Sequence, residues 1–83
     1  MPINPQVVYR RDSDDSALIF LPDTGKAFAL NQVGIVIWDA LTQNCSEPEI
    51  LAKLAESCGT LPDTAAADLR EFLARLRQVG ALL

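Results

Sequence analysis

Two cysteines and a short acidic run are the residues whose types could do chemistry in this chain. Cys45 and Cys58 lie just before and at the end of one predicted helix. Helical spacing puts them about 18 Å apart, far beyond the reach of a disulfide. Two cysteines with no histidine cannot supply the four ligands of a structural zinc site. We therefore expect two reduced, half-buried thiols, no bound metal and no cofactor.

The acidic run, residues 12–16, reads Asp-Ser-Asp-Asp-Ser. Carboxylates suit calcium, but this run is too short for a calcium loop and has no closing glutamate, so it indicates a solvated turn. Without histidine the chain lacks the commonest general acid or base at neutral pH. No paired carboxylates, nucleophile–base set or phosphate loop is visible. An enzyme is therefore the least favoured class, and the function is expected to be binding.

Composition further limits the possible classes of function. The 83 residues carry seven basic and eleven acidic side chains, a net charge of −4, and 49% of them are hydrophobic. This predicts one small globular domain over residues 1–83 and disfavours nucleic acid as a partner. No apolar run approaches a membrane span, and the N-terminus lacks the basic and apolar regions of a signal peptide. We expect a cytoplasmic protein with no membrane partner.

Three strands are predicted in the first part of the chain, after a short extended arm over residues 1–6. They are residues 7–11, 17–21 and 26–30. The second is apolar on both faces and is expected to be central in its sheet. In the third, Lys26, Phe28 and Leu30 share one face, and Ala27 and Ala29 share the other. The small-residue face leaves room for something to lie close.

Three helices are predicted next, and short motifs in the sequence mark where each one begins or ends. They are residues 32–43, 47–58 and about 62–79. Asn31 caps the first, the Ser-Glu-Pro-Glu capping box at 46–49 begins the second, and Pro62 is placed near the start of the third. Gly59 and Gly80 end the second and third. Strands followed by helices predict an α+β fold: a winged-helix-like, three-stranded antiparallel sheet followed by three helices.

An ordered set of short motifs resembles one known family over nearly the whole chain. The set is Arg10 or Arg11, Leu30-Asn31, Gly34, Ile37-Trp38, Leu41, Glu49-Ile50, Leu54, Phe72-Leu73, Leu76 and Gly80-Ala81-Leu82-Leu83. It resembles the PqqD family of peptide chaperones in pyrroloquinoline quinone biosynthesis, and the wider class of precursor-peptide recognition elements in natural-product pathways. Ala81 departs from the Gly-Leu-Leu tail that is usual in the family.

The resemblance implies a non-enzymatic binder that holds the leader of a ribosomally made precursor peptide. It would present that peptide to a modifying enzyme, of the radical S-adenosylmethionine type or another. The leader would add as a strand beside the third strand, against the third helix. The residues then expected to bind peptide are Lys26, Ala27, Phe28, Ala29, Leu30, Leu69, Phe72, Arg75 and Leu76. A monomer and a dimer paired through the third strand both remain open.

Other interpretations of these residues remain open. The apolar candidates on the third strand and third helix also suit a core. Arg70, Arg75 and Arg77 suit either an acidic leader or a solvated face balanced by nearby acids. The same arginines could make the third helix a DNA-reading helix, so a winged-helix DNA-binding regulator is the alternative function. Trp38 is expected in the core, and Gly34 is expected to let its helix approach the sheet.

Overall fold

The computed structural model describes residues 2–83, so Met1 of the predicted arm lies outside the described residues. Three strands are followed by three helices: β1 (Val8–Arg11), β2 (Ala17–Leu21), β3 (Lys26–Leu30), α1 (Gln32–Thr42), α2 (Glu47–Cys58) and α3 (Ala65–Val79). The strands form one antiparallel sheet in the order β1-β2-β3. The predicted α+β class and the central position of the second strand are confirmed.

One face of the sheet packs on the helices and the other is open. Ala17, Ile19 and Leu21 of β2 are buried in a core shared with all three helices. On the opposite face of the same strand, Leu18 is half-buried and Phe20 is 38% exposed. The strand is central, as its composition predicts, but only one of its two apolar faces is covered.

The end signals of the first two helices act as their sequence predicts. The Asn31 side chain accepts a hydrogen bond from the Gly34 N–H at 2.9 Å, which begins α1 directly after β3. At α2 the Ser46 N–H donates to Glu49 Oε1 at 2.9 Å, and the Glu49 N–H donates to Ser46 Oγ, completing the capping box. Hydrogen bonds from the Ser46 backbone and then from its side chain lower the pKa of Glu49.

The third helix begins later than predicted. Pro62 lies three residues before α3, in a turn closed by the Ala65 N–H, which donates to the Pro62 carbonyl at 3.0 Å. Thr64 makes no side-chain cap bond to the backbone, and its hydroxyl donates to Asp68 instead. The proline therefore shapes the connection between α2 and α3 and does not occupy the first helical turn.

Two further expectations about burial need correction. Val33 shares the four-residue spacing of Ile37 and Leu41, which predicts one apolar stripe on the first helix, but it is 43% exposed whereas the other two are buried. Cys45 is buried but Cys58, near the end of α2, is exposed; both are free thiols. Trp38 lies in the core as expected and stacks on Tyr9 at 6.3 Å between ring centroids.

The chain ends hold one another. Asn4 donates from its side chain to the Gly80 carbonyl and from its backbone to the Ala81 carbonyl, both at 2.9 Å. Ile3 pairs with Leu82 in a short antiparallel bridge. The C-terminal tail packs on the core through Ala81 and Leu82, which are buried. Within residues 2–83, no helix has the length and apolarity to cross a membrane.

Candidate functional site

An open groove of about 820 Å³ lies between β3, the start of α1 and α3. Phe28 and Leu30 of β3 form part of one wall, and Leu69 and Phe72 of α3 form part of the other. The Phe28 and Phe72 rings meet edge to face, with centroids 5.6 Å apart. Both rings are only half-buried. The groove therefore has an apolar lining that water still reaches.

Gly34 sets how closely α1 approaches this wall. A Cβ at position 34 would lie 3.0 Å from Leu30 Cδ2 and 3.3 Å from Leu30 Cβ. The expectation that Gly34 lets the helix approach the sheet is confirmed. Leu30 is 2% exposed, so the close approach buries the last residue of β3 and joins the strand to the helix.

The register of the sheet shows which backbone groups are used on β2. Asp12 and Ser16 continue the β1–β2 register by one pair beyond Arg11 and Ala17. The Asp12 N–H donates to the Ser16 carbonyl at 2.9 Å, so Ser16 directs its backbone groups toward β1. Alternate residues of a central antiparallel strand bond opposite neighbours, so every second residue of β2 from Ala17 directs its backbone groups toward β3. The Leu21 carbonyl, which accepts the Gly25 N–H at 2.8 Å, agrees with this parity.

The same alternation identifies the outward groups of β3. The partners of the inward-directed residues are Lys26, Phe28 and Leu30, so their amides and carbonyls are used within the sheet. Ala27 and Ala29 therefore direct their N–H and C=O groups to the open edge. Because β3 ends the sheet order, no other described strand pairs with this edge.

Asn31 extends the edge by one donor. Its backbone is extended, with φ −87° and ψ −173°, so its N–H continues the outward parity of Ala27 and Ala29. Its carbonyl instead accepts the Ile35 N–H at 2.9 Å and begins the helix. The open edge is thus a row of free backbone groups beside an apolar groove, ending where α1 begins.

Acidic side chains outnumber basic ones on the groove rim. The charged lining residues are Asp15, Asp68, Glu71 and Arg75. Arg75 Nη2 lies 2.8 Å from Glu71 Oε1, one helical turn away, and both side chains are more than half exposed. Such a pair is weak and salt-sensitive, so Arg75 can exchange Glu71 for another carboxylate at low cost.

The remaining arginines of α3 are placed differently. Arg70 pairs with Glu47 of α2 at 3.2 Å, which ties the two helices together on the surface. Arg77 is exposed in the last turn of α3 and does not line the groove. Of the three arginines singled out in the sequence, the groove includes only Arg75.

The structure brings most of the expected peptide-binding residues together. Those that line the groove are Phe28, Ala29, Leu30, Leu69, Phe72 and Arg75. Lys26 and Ala27 lie on β3 outside the groove lining, and Leu76 is fully buried in the core.

The groove also includes residues from outside β3 and α3 that are not among the peptide-binding residues expected from the sequence. They include Val33 and Ile37 of α1, Leu54 of α2, and Leu61 and Pro62 of the following loop. The available signal was an apolar Leu-Pro pair in a loop after a helix-ending glycine, where solvent exposure would favour polar residues.

The described chain, residues 2–83, contains no cluster of three or more cysteine, aspartate or glutamate side chains able to hold a metal ion. The groove and the edge offer hydrogen bonds and apolar contacts to a ligand. Free N–H and C=O groups in a row accept an extended chain, and the adjoining apolar lining accepts its side chains.

Comparisons with known proteins give a family and a similar solved structure. The model of the family described as coenzyme PQQ synthesis protein D (PqqD) matches residues 17–82. Among solved structures, the chain is similar to TbiB1 in complex with the TbiA(beta) leader peptide. The identity is 30% and the TM-score 0.86, over 99% of this chain and 94% of that chain. No curated protein matches the chain in sequence.

Proposed function

This chain belongs to the coenzyme PQQ synthesis protein D (PqqD) family, and on that premise we propose that it binds the leader of a ribosomally made precursor peptide and catalyses no reaction itself. The observation that carries the proposal is the free edge of β3 beside an apolar groove. The similar chain TbiB1 was solved with a leader peptide, which supports the same kind of ligand here.

Strand addition is the proposed mode of binding. An extended leader pairs with the outward backbone groups of Ala27 and Ala29 and with the Asn31 N–H. Each such hydrogen bond contributes a net of about 0.5–1.5 kcal/mol. The leader residue opposite Phe28 then points its side chain into the groove, toward Phe72. Backbone pairing supplies affinity for any extended chain, and the groove supplies selection among sequences.

Presentation to a modifying enzyme completes the proposed role. The leader is held along one edge, so the rest of the precursor stays free to enter an active site elsewhere. We propose a partner enzyme of the radical S-adenosylmethionine type or another peptide-modifying class, in the pyrroloquinoline quinone pathway or a related one. A cytoplasmic location fits such a pathway.

The DNA-binding alternative has less support. Two of the three arginines on α3, Arg70 and Arg75, already pair with the carboxylates of Glu47 and Glu71. The chain carries a net charge of −4, and phosphate binding favours a basic face.

The test is a peptide selection followed by amide exchange. A displayed library of random peptides of about twelve residues is selected on the purified protein, and enriched peptides are synthesised. Hydrogen exchange is then measured by NMR with and without peptide. We expect the Ala27 and Ala29 amides to become protected only with peptide, whereas the Phe28 amide, bonded to β2, is protected in both states.

The TbiA(beta) leader serves as a second probe, and a proline-substituted version of each enriched peptide serves as the control. Failure to enrich any peptide, or protection that appears away from β3, would count against strand addition at this edge.

A further inference from the structure

The sheet has an open face on the side away from the groove. Cross-strand pairing arranges its side chains in two rows, Val8–Phe20–Ala27 and Arg10–Leu18–Ala29. Val8 is 50% exposed and Phe20 38% exposed, and both alanines are exposed. We call these six side chains the back face.

A strand added to β3 places side chains on the back face as well as in the groove. Directly opposed residues in a sheet share a face, and successive residues alternate between faces. Leader residues opposite Ala27 and Ala29 therefore lie on the back face, at the ends of the two rows. This follows from pairing at the β3 edge whether the leader runs parallel or antiparallel.

Small residues on β3 leave space at the ends of these rows. Neighbouring strands are about 4.8 Å apart, so the leader would lie about 10 Å from β2. Only an alanine methyl separates a leader side chain from Phe20 in one row and from Leu18 in the other. A large apolar side chain on the leader can lean over the alanine and cover the exposed ring of Phe20.

We propose that the part of the back face formed by β2 and β3, namely Leu18, Phe20, Ala27 and Ala29, is a second recognition surface for the leader, which rests on the proposed function. The leader residues opposite Ala27 and Ala29 are large and apolar, and they pack over the alanines against Phe20 and Leu18. The protein thus selects consecutive leader residues on both faces of the sheet, instead of alternate residues in the groove alone.

Charge and size favour the leader over other occupants. The row containing Phe20 has no charged residue, and the one charge on the back face, Arg10, pairs with Asp12 at 2.9 Å. A second copy of the chain is a poorer fit, because stable protein interfaces use about 20–30 residues on each side. The back face has six side chains but directly adjoins the edge to which the leader adds.

The peptide selection described above tests this inference with three variants. Phe20→Thr removes the ring, and Val8→Thr is the matched control, an exposed apolar residue two strands from β3. We expect Phe20→Thr to weaken enriched peptides about two- to fivefold and to relax the preference at one back-face position. Val8→Thr should change neither.

The third variant enlarges a residue of β3 and leaves Phe20 in place. Its result is therefore independent of whether the Phe20→Thr protein folds. Ala27→Leu fills the space in the row, so selection at the opposing leader position should shift from large to small side chains. The groove-facing preference should stay unchanged. Thermal melts verify that each variant is folded.

The outcomes separate this inference from the proposed function. If no peptide is enriched on the wild type, the proposed function fails. If peptides are enriched with a preference only at alternate positions, or if Phe20→Thr and Ala27→Leu leave the selected sequences unchanged, the back-face inference is overturned while leader binding stands. A change in sedimentation of Phe20→Thr without a change in peptide preference would assign the face to a second copy and also overturn it.

Discussion

Proline substitution along β3 separates folding from binding by residue parity. Proline lacks the N–H donor, so its effect depends on where that donor points. At Ala29 the donor faces the open edge, where proline is tolerated. At Phe28 it faces Ile19 within the sheet. We expect Ala29→Pro to remain folded but bind peptide poorly, and Phe28→Pro to be strongly destabilised.

The size of each effect follows from the groups involved. Ala29→Pro removes one hydrogen bond to the leader and leaves the partner carbonyl without a donor, a cost of about 1–3 kcal/mol. That corresponds to a roughly five- to 150-fold higher Kd. Phe28→Pro breaks a bond to the central strand and removes the ring that contacts Phe72, so it should cost at least about 3 kcal/mol. For a domain of this size, that lowers the Tm by about 12–24 °C.

Thermal melting and calorimetric peptide titration measure the two effects on the same samples. Phe28→Ala is the control that separates loss of the ring from loss of the donor, and Ala27→Pro repeats the outward test one pair away. A folded Ala29→Pro protein that binds peptide with wild-type affinity would refute the outward parity and with it the placement of the leader on this edge.

Three further predictions address charge, core and capping. Arg75→Gln should weaken binding of an acidic leader a few-fold at low salt and less at high salt, with Arg77→Gln as the control outside the groove; equal affinities by calorimetry would make Arg75 a solvated residue. Leu76→Ala should lower the free energy of unfolding by about 2–5 kcal/mol in urea, because the side chain is 0% exposed, and a near-neutral result would contradict its place in the core. The lowered pKa of Glu49 gives stability that is present above the ordinary glutamate pKa and is lost as pH falls through the lowered value. The difference in free energy of unfolding between wild type and Glu49→Gln, measured in urea, should therefore become smaller below about pH 4. A difference that stays constant from about pH 6 to about pH 3 would exclude a stabilising role for the Glu49 carboxylate.

The elements of the fold could be predicted because their signals are local. The capping box at 46–49, the Asn31 cap and the left-handed Gly80 each act on backbone groups within one helical turn. Local hydrogen bonds and positive φ need no distant partner, so residue type alone indicates them. The order of three strands and three helices follows from such signals taken together, whereas the family was indicated by the resemblance of an ordered set of motifs.

The binding surface depended on contacts between segments far apart in the chain. Leu69, Phe72 and Leu76 share one helical stripe, yet only Phe72 is half-exposed, because helix packing decides which part of a stripe is covered. Leu69 is buried but still lines the groove, and Leu76 does not reach it. Val33 is exposed for the same reason.

The parity of β3 is the clearest division between sequence and structure. Alternation in the sequence shows that one set of residues must face outward, but both sets satisfy a single strand equally well. Only the register against β2 decides that the outward pair is Ala27 and Ala29. The sequence by itself therefore determined the elements, the N-caps of α1 and α2 and, by resemblance, the family. The tertiary structure decided which backbone groups stay free, because hydrogen-bond pairing is a property of two strands and not of one.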